Sequence, residues 1–221
     1  MAQLAHNPDS RALRLRQSLV FAAALATAWS QTVGLSAGVQ SYRVDPANSS
    51  ATIHVGKAGA FSFVAGHTHE VKGPIESGSV DVDVEAPSRS RVSLVIAASD
   101  LKVSAEGEPK GDAPKVQETM DGATVLDVAH HARMTYESTS VTVQERRGNR
   151  LDLVVAGQLT IRDVAQPVTV PVRVELADDR LTANGRVTIK QSAFGIKPIS
   201  VAGVVSVKDT LDIEFSISAK K

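Results

Sequence analysis

Residues 168–189, VTVPVRVELADDRLTANGRVTI, decide the fold. Val168, Val170, Val172, Val174 and Leu176 stand two apart, and after the polar step at residues 177–180 (ADDR) come Leu181, Ala183, Val187 and Ile189. A period of two sends successive side chains to opposite faces of an extended chain. A short Asp-rich step between two such runs reads as a hairpin turn. The same grammar extends both ways. Downstream, Leu211, Ile213, Phe215 and Ile217 alternate with Asp212, Glu214, Ser216 and Ser218. Upstream lie Leu151, Leu153 and Val155, then Val141 and Val143, then Val92, Leu94 and Ile96, then Val80, Val82 and Val84. Asp81, Asp83 and Glu85 alternate with that last set and read as a solvated strand face. Further turn chemistry sits at residues 146–149 (RRGN), 163–167 (DVAQP) and the Lys208-Asp209 step, which makes a meander of neighbouring antiparallel strands.

One helical interruption is expected at residues 114–129 (PKVQETMDGATVLDVA), divided by Gly122, with the Gly- and Glu-containing stretch 104–113 as an exposed loop before it. The fold class is therefore all-β and antiparallel with one short helical segment, which leaves a sandwich or a closed barrel. Closure removes the exposed edges that invite aggregation. Valine occurs 30 times while aromatics make up only 4% of the 221 residues, so inward positions are small. An eight-stranded barrel lined that way either holds one small apolar ligand or fills with its own side chains.

Composition removes several function classes. Lys and Arg number 24 against 24 Asp and Glu, and a chain without basic excess is a poor phosphate binder, so nucleic acid is not an expected partner. No cysteine is present, which excludes disulfides, thiolate metal sites and cysteine nucleophiles. Residues 1–40 read as a signal peptide and mature N-terminal tail, and residues 41–221 as the barrel domain. Arg11, Arg14 and Arg16 precede the apolar run 19–28 (LVFAAALATA), too short to span a bilayer but of export-signal length. The cleavage position falls within 28–38. Removal through Gly38 leaves 21 basic and 23 acidic residues, a net charge of −2. The mature form then carries no stable membrane span, and the expected location is periplasmic, with secretion as the alternative. Lys220 and Lys221 read as a solvated chain end.

Chemistry-bearing residues concentrate in residues 61–71 (FSFVAGHTHEV). Run as one strand, Phe61, Phe63, His67, His69 and Val71 share a face, which would set two imidazoles inside an oily barrel as a polar handle. In the alternative, Gly66 bends the chain and both imidazoles sit on a solvated rim. A metal reading with His130 or His131 as third ligand has weak support, because adjacent histidines on an extended chain point apart and no carboxylate neighbours His67 at metal-site spacing. His54, out of phase with Ile53 and Val55, faces outward. No Gly-x-Ser-x-Gly elbow or phosphate-binding glycine loop is present. No cofactor, metal site or catalytic residue is assigned.

Taken together, these segments resemble the YceI-like family of exported, lipocalin-shaped proteins that bind polyisoprenoids or related lipids. The resemblance spans about residues 42–219 and rests on Tyr42-Arg43-Val44-Asp45-Pro46, on residues 61–73 and on the helical stretch 116–128 (VQETMDGATVLDV). It continues through residues 136–140 (YESTS), 157–163 (GQLTIRD) before Pro167-Val168-Thr169, 192–198 (SAFGIKP) and 207–215 (VKDTLDIEF). It departs from the family at His130-His131-Ala132, where relatives often carry an aromatic and a proline, and at Ala193, where many carry Asp. The resemblance implies an all-β fold, an antiparallel up-and-down, lipocalin-like β-barrel with one short helical segment, and inside it an elongated apolar tunnel without a catalytic centre. The expected function is a non-catalytic carrier holding a polyisoprenoid, isoprenoid quinone or related long-chain lipid. Its ligand contacts are Phe61, Phe63, His67, His69, Met120, Leu126, Met134, Tyr136, Phe194 and Ile196. The rivals are a His-dependent metalloprotein or enzyme acting on a lipid-like substrate, and a ligand-free interaction module. A second copy of the chain, as a homodimer, is a further candidate partner.

Overall fold

A computed structural model describes residues 38–58, 68–106, 108–201 and 205–221. The expected export segment up to residue 37, and Phe61, Phe63 and His67, lie outside the described residues. From Val39 onward the described residues form a closed eight-stranded antiparallel barrel, the closed form of the two that the alternating pattern allows and the one the family resemblance implies.

The staves follow chain order. The first is broken into β1 (Val39–Val44) and β2 (Ser50–Ala58), the second into β3 (His69–Pro74) and β4 (Ser77–Asp83), and the third into β5 (Arg91–Ala97) and β6 (Lys102–Val103). Five continuous staves follow: β7 (Arg133–Arg147), β8 (Arg150–Ile161), β9 (Val164–Leu176), β10 (Arg180–Lys190) and β12 (Val205–Lys220), with β11 (Ser200–Val201) folded onto the start of β12. β1 pairs with β4 while β2 pairs with β3, so the two broken staves form one kinked hairpin. The breaks are neighbours in the wall, where the Ile75 N–H donates to Ser49 O at 3.1 Å. β12 closes the barrel by pairing with β10 along one edge and with both β2 and β1 along the other.

The two ends differ. One carries the compact turns at residues 84–90, 148–149 and 177–179, together with Lys221. The other is where β2 ends and β3 begins, and it carries the long β6–β7 connection and the turn that follows β10. At this loop end β8 and β9 meet in a two-residue turn, Arg162 (φ 50°) and Asp163 (φ 60°), whose left-handed backbone matches the strand twist. The 163–167 stretch is thus mostly strand, because the turn needs only two residues. The Lys208-Asp209 step is not a turn either. The β2–β12 ladder shifts register between Val207 and Leu211, so the extra residues form an irregularity within one long strand.

The helix α1 (Ala113–Asp121) starts with Pro114 in its first turn, where no N–H is needed, and stops at Gly122, whose N–H reaches Glu118 O and Thr119 O. Residues beyond Gly122 form turns rather than a second helical piece. The helix lies beside β6, whose outer edge has no strand neighbour among the described residues. Gln117 replaces that neighbour: its Oε1 accepts from the Val103 N–H at 2.8 Å and its Nε2 donates to Leu101 O at 3.0 Å. One side-chain amide thus completes a strand edge as another strand would.

Two polar assignments are corrected, at Asp83 and at Glu108. Asp83 is buried, because the chain turns inward after β4: its carboxylate accepts from the Glu85 and Ala86 N–H groups and pairs with Arg89 at 2.9 Å. Lys220 is a strand residue paired with Arg43 and Arg180, and its Nζ lies 2.8 Å from Asp45. Lys221 bonds to Asp178 O through Nζ and stands 5.7 Å from the Tyr42 ring centre, and both lysines are exposed, as a solvated end requires. Within the stretch read as an exposed loop, the Glu108 side chain is 1% exposed.

Candidate functional site: an apolar cavity along the barrel

Every stave turns one face inward, and space is left between those faces. They enclose a cavity of about 570 Å³, within the range of small-molecule sites. Buried side chains form two clusters. One, at the compact end, includes Tyr42, Val82, Leu151, Leu181 and Ile217. The other, at the loop end, includes Val71, Leu101, Leu126, Ile189 and Phe194. The cavity is lined by members of both and therefore runs through the barrel instead of sitting at one mouth. Along β8 the lining positions extend from Leu151 to Ile161, ten residues apart. At about 3.3 Å per residue and a tilt near 40°, that is roughly 25 Å along the axis.

The walls are almost wholly hydrocarbon, and polar lining groups gather at the loop end. Lys57 and His69 stand on β2 and β3, Lys115 and Thr119 on α1, and Gln191 and Ser206 flank the β10–β12 connection. Ser90 alone marks the compact end, its hydroxyl oxygen accepting from the Asp83 N–H. Among the described lining residues none is a carboxylate. His69 lies 2.6 Å from Glu108 through Nδ1, a contact that draws the loop after β6 in beside β3.

Seven of the ten expected contact residues are described, and all seven line the cavity: His69, Met120, Leu126, Met134, Tyr136, Phe194 and Ile196. They come from distant segments. β3 supplies His69, and α1 with the turn after it supplies Met120 and Leu126. Met134 and Tyr136 stand on β7. Phe194 and Ile196 come from the turn after β10, where Ser192 is held by Asp209 through its N–H (2.9 Å) and hydroxyl (2.7 Å). The Ser192 hydroxyl and N–H in turn hold the Asp209 carboxyl below its usual range. Tyr136 donates to Val155 O at 3.2 Å, and burial pushes its phenol up to about 12. Two groups escaped the sequence reading. Phe215 lines the cavity and was visible as an inward member of an alternating run. Glu108 had no such signal, because nothing in a Gly- and Pro-containing loop marks one carboxylate as buried.

The other three described histidines, His54, His130 and His131, are turned elsewhere. His54 is outward, between Glu70 (3.7 Å) and Glu214 (3.8 Å). His130 and His131 lie in a tight turn at Asp127 (φ 49°) and not on extended chain. His130 bonds Asp127 at 2.8 Å, and His131 bonds Asp163 at 2.8 Å. The His130 hydrogen bond keeps the Asp127 carboxyl below its usual range. Among the described residues no group of three or more His, Cys, Asp or Glu is placed to hold a metal ion, and no helix is long and apolar enough to cross a membrane.

A family model described as the YceI-like domain matches residues 42–219. No curated protein matches the chain. Among solved structures, Burkholderia cenocepacia BcnA is similar over 80% of this chain and 99% of its own, at 23% identity and a TM-score of 0.58. A mutant CJ YceI protein crystallised with a monobromobimane guest is 12% identical over 67% of this chain and 84% of its own, with a TM-score of 0.50. A Campylobacter jejuni YceI protein that crystallises with large solvent channels has the same identity and coverage and a TM-score of 0.47.

Proposed function

The chain belongs to the YceI-like family, and from that premise we propose that it is a non-catalytic binding protein that holds a long apolar ligand inside its barrel. The ligand class is a polyisoprenoid, an isoprenoid quinone or a related lipid, and the place of work is the periplasm. One observation carries the reading: a cavity that is apolar from Leu151 to Ile161 and polar mainly at its loop end. A hydrocarbon chain loses nothing by leaving water for such walls, whereas a polar substrate would leave its hydrogen bonds unmade. The ligand therefore enters tail first, with its tail toward Leu151 and Leu181 and its head beside Lys57, His69 and Lys115. Phe61 and Phe63 as wall residues and His67 as a second polar contact belong to the same proposal. At about 0.3 kcal/mol per heavy atom, roughly 30 buried carbons give about 9 kcal/mol. That is sub-micromolar binding, suited to a carrier that also releases.

The test is mass spectrometry of an organic extract of the purified protein, with elemental analysis of the same sample. The expected result is a co-purifying lipid in near-stoichiometric amount. A sample holding stoichiometric zinc or iron that His69→Ala removes, and no lipid, would overturn the proposal in favour of a metal-dependent enzyme. Neither lipid nor metal would overturn it in favour of an interaction module.

A further inference from the structure

Two aromatic rings stand at the middle of the barrel, and each lies where a glycine leaves room. Phe215 on β12 pairs across the ladder with Gly185 on one side and Ala51 on the other. A Cβ on Gly185 would stand 2.5 Å from Phe215 Cζ and 2.9 Å from Cε1. Tyr136 on β7 crosses Gly157 of β8 to reach Val155 O with its hydroxyl. A Cβ on Gly157 would stand 2.6 Å from its Cζ and 2.7 Å from its Oη. Carbon atoms in contact sit about 3.5–4.0 Å apart, so neither ring keeps its place beside any larger residue. Both rings line the cavity, and both pack against the compact-end cluster close to where the loop-end cluster begins.

Resting on the lipid-holding reading, we propose that the Phe215–Gly185 and Tyr136–Gly157 pairs set the length of chain the barrel accepts. The glycines hold the rings in the wall, which leaves the two halves of the cavity joined as one bore. With a ring displaced inward, the bore ends at the middle, and only ligands short enough for the loop-end half fit.

The experiment compares geraniol with geranylgeraniol, a short and a long prenol, offered in detergent micelles to the delipidated protein and read by native mass spectrometry. Wild type is expected to bind both. Gly185→Ala is expected to lose about tenfold or more in affinity for geranylgeraniol while geraniol binding stays within about twofold. Gly185→Ala/Phe215→Leu, which removes the displaced ring, is expected to recover the long prenol. A Cβ on Gly185 also approaches Pro171 O at 2.7 Å, so Gly185→Ala bears on the fold itself. Val170→Phe supplies a second obstruction, placing a new ring into the cavity from β9 without touching either glycine, and the same selective loss is expected. Loss of both prenols to the same extent, or of neither, in these variants overturns the length-setting role and leaves the lipid reading standing. A wild-type protein that binds neither prenol overturns the lipid reading itself and this inference with it.

Discussion

Tyr136 shows how one side chain serves both wall and ligand. Its ring is apolar surface for the cavity, while its hydroxyl is spent on Val155 O and therefore does not add a polar group to the bore. Burial raises its phenol to about 12, and burial raises the Tyr42 phenol in the same direction. In an unfolded chain a tyrosine ionises near its ordinary value of about 10. Above that pH the unfolded chain gives up protons that the folded chain keeps, so stability is complete below about pH 10 and falls as pH rises toward 12. An ultraviolet titration is expected to show tyrosine ionisation delayed past pH 10 and arriving together with loss of the barrel's circular dichroism. Tyr136→Phe should move the alkaline unfolding midpoint to higher pH. Ionisation of both tyrosines near pH 10 with the fold intact would refute the argument.

At the scale of elements, α1 tests how a helix can belong to a sheet. Its link to β6 runs through the Gln117 amide, which occupies both the Val103 N–H and the Leu101 carbonyl. Gln117→Leu keeps the bulk and removes both bonds, so each backbone group must find water. The Val103 amide is expected to exchange with solvent about tenfold faster or more in that variant, with amides at the middle of β8 unchanged. Equal protection in the two proteins would show that the helix is held by packing alone. The strands were legible in advance because pleating ties hydrophobic spacing to face, and β8, β9 and β10 each obey it. The breaks at Asp45-Pro46 and Ile75-Glu76 were not, since they answer to closure, a demand made by strands far away in sequence. Asp83 was misread for a related reason: alternation assigns faces only while the strand continues, and at Asp83 the strand ends. Inward valines foretold a lining, but whether it encloses space depends on the distance between staves, which no local pattern carries. The contact residues at 61, 63 and 67 remain with the proposal.

For the whole molecule, the decisive join is the last one made. β12 holds β10 along eleven residue pairs, yet it meets β1 at only two, Val44 with Ala219 and Arg43 with Lys220. Across the break in the first stave, Ser49 and Ser218 take over: the Ser218 N–H donates to Ser49 Oγ at 3.0 Å, and Ser218 O accepts from the Asp45 N–H at 2.8 Å. Ala219 is fully buried between Val44 and Leu181. Deleting residues 219–221 therefore opens the cylinder at the compact end and leaves β1, and Arg180 and Leu181 of β10, without their partner. Loss of several hydrogen bonds and of that buried contact should cost about 4 kcal/mol, or about 10 °C in thermal midpoint for a chain of this size. Open edges pair with other edges, so the truncated protein is also expected to run as dimers or larger species in size-exclusion chromatography with light scattering. Lys220→Ala removes only the ion pair between the exposed Lys220 and the half-buried Asp45, which keeps its hydrogen bond from Asn48, and leaves the ladder intact, so its midpoint should fall by much less than that of the truncated chain. A truncated chain that stays as stable as the full one and elutes in the same oligomeric form would show that the first and last staves do not need each other, and that the cavity is held by the five continuous staves and the β4–β5 wall.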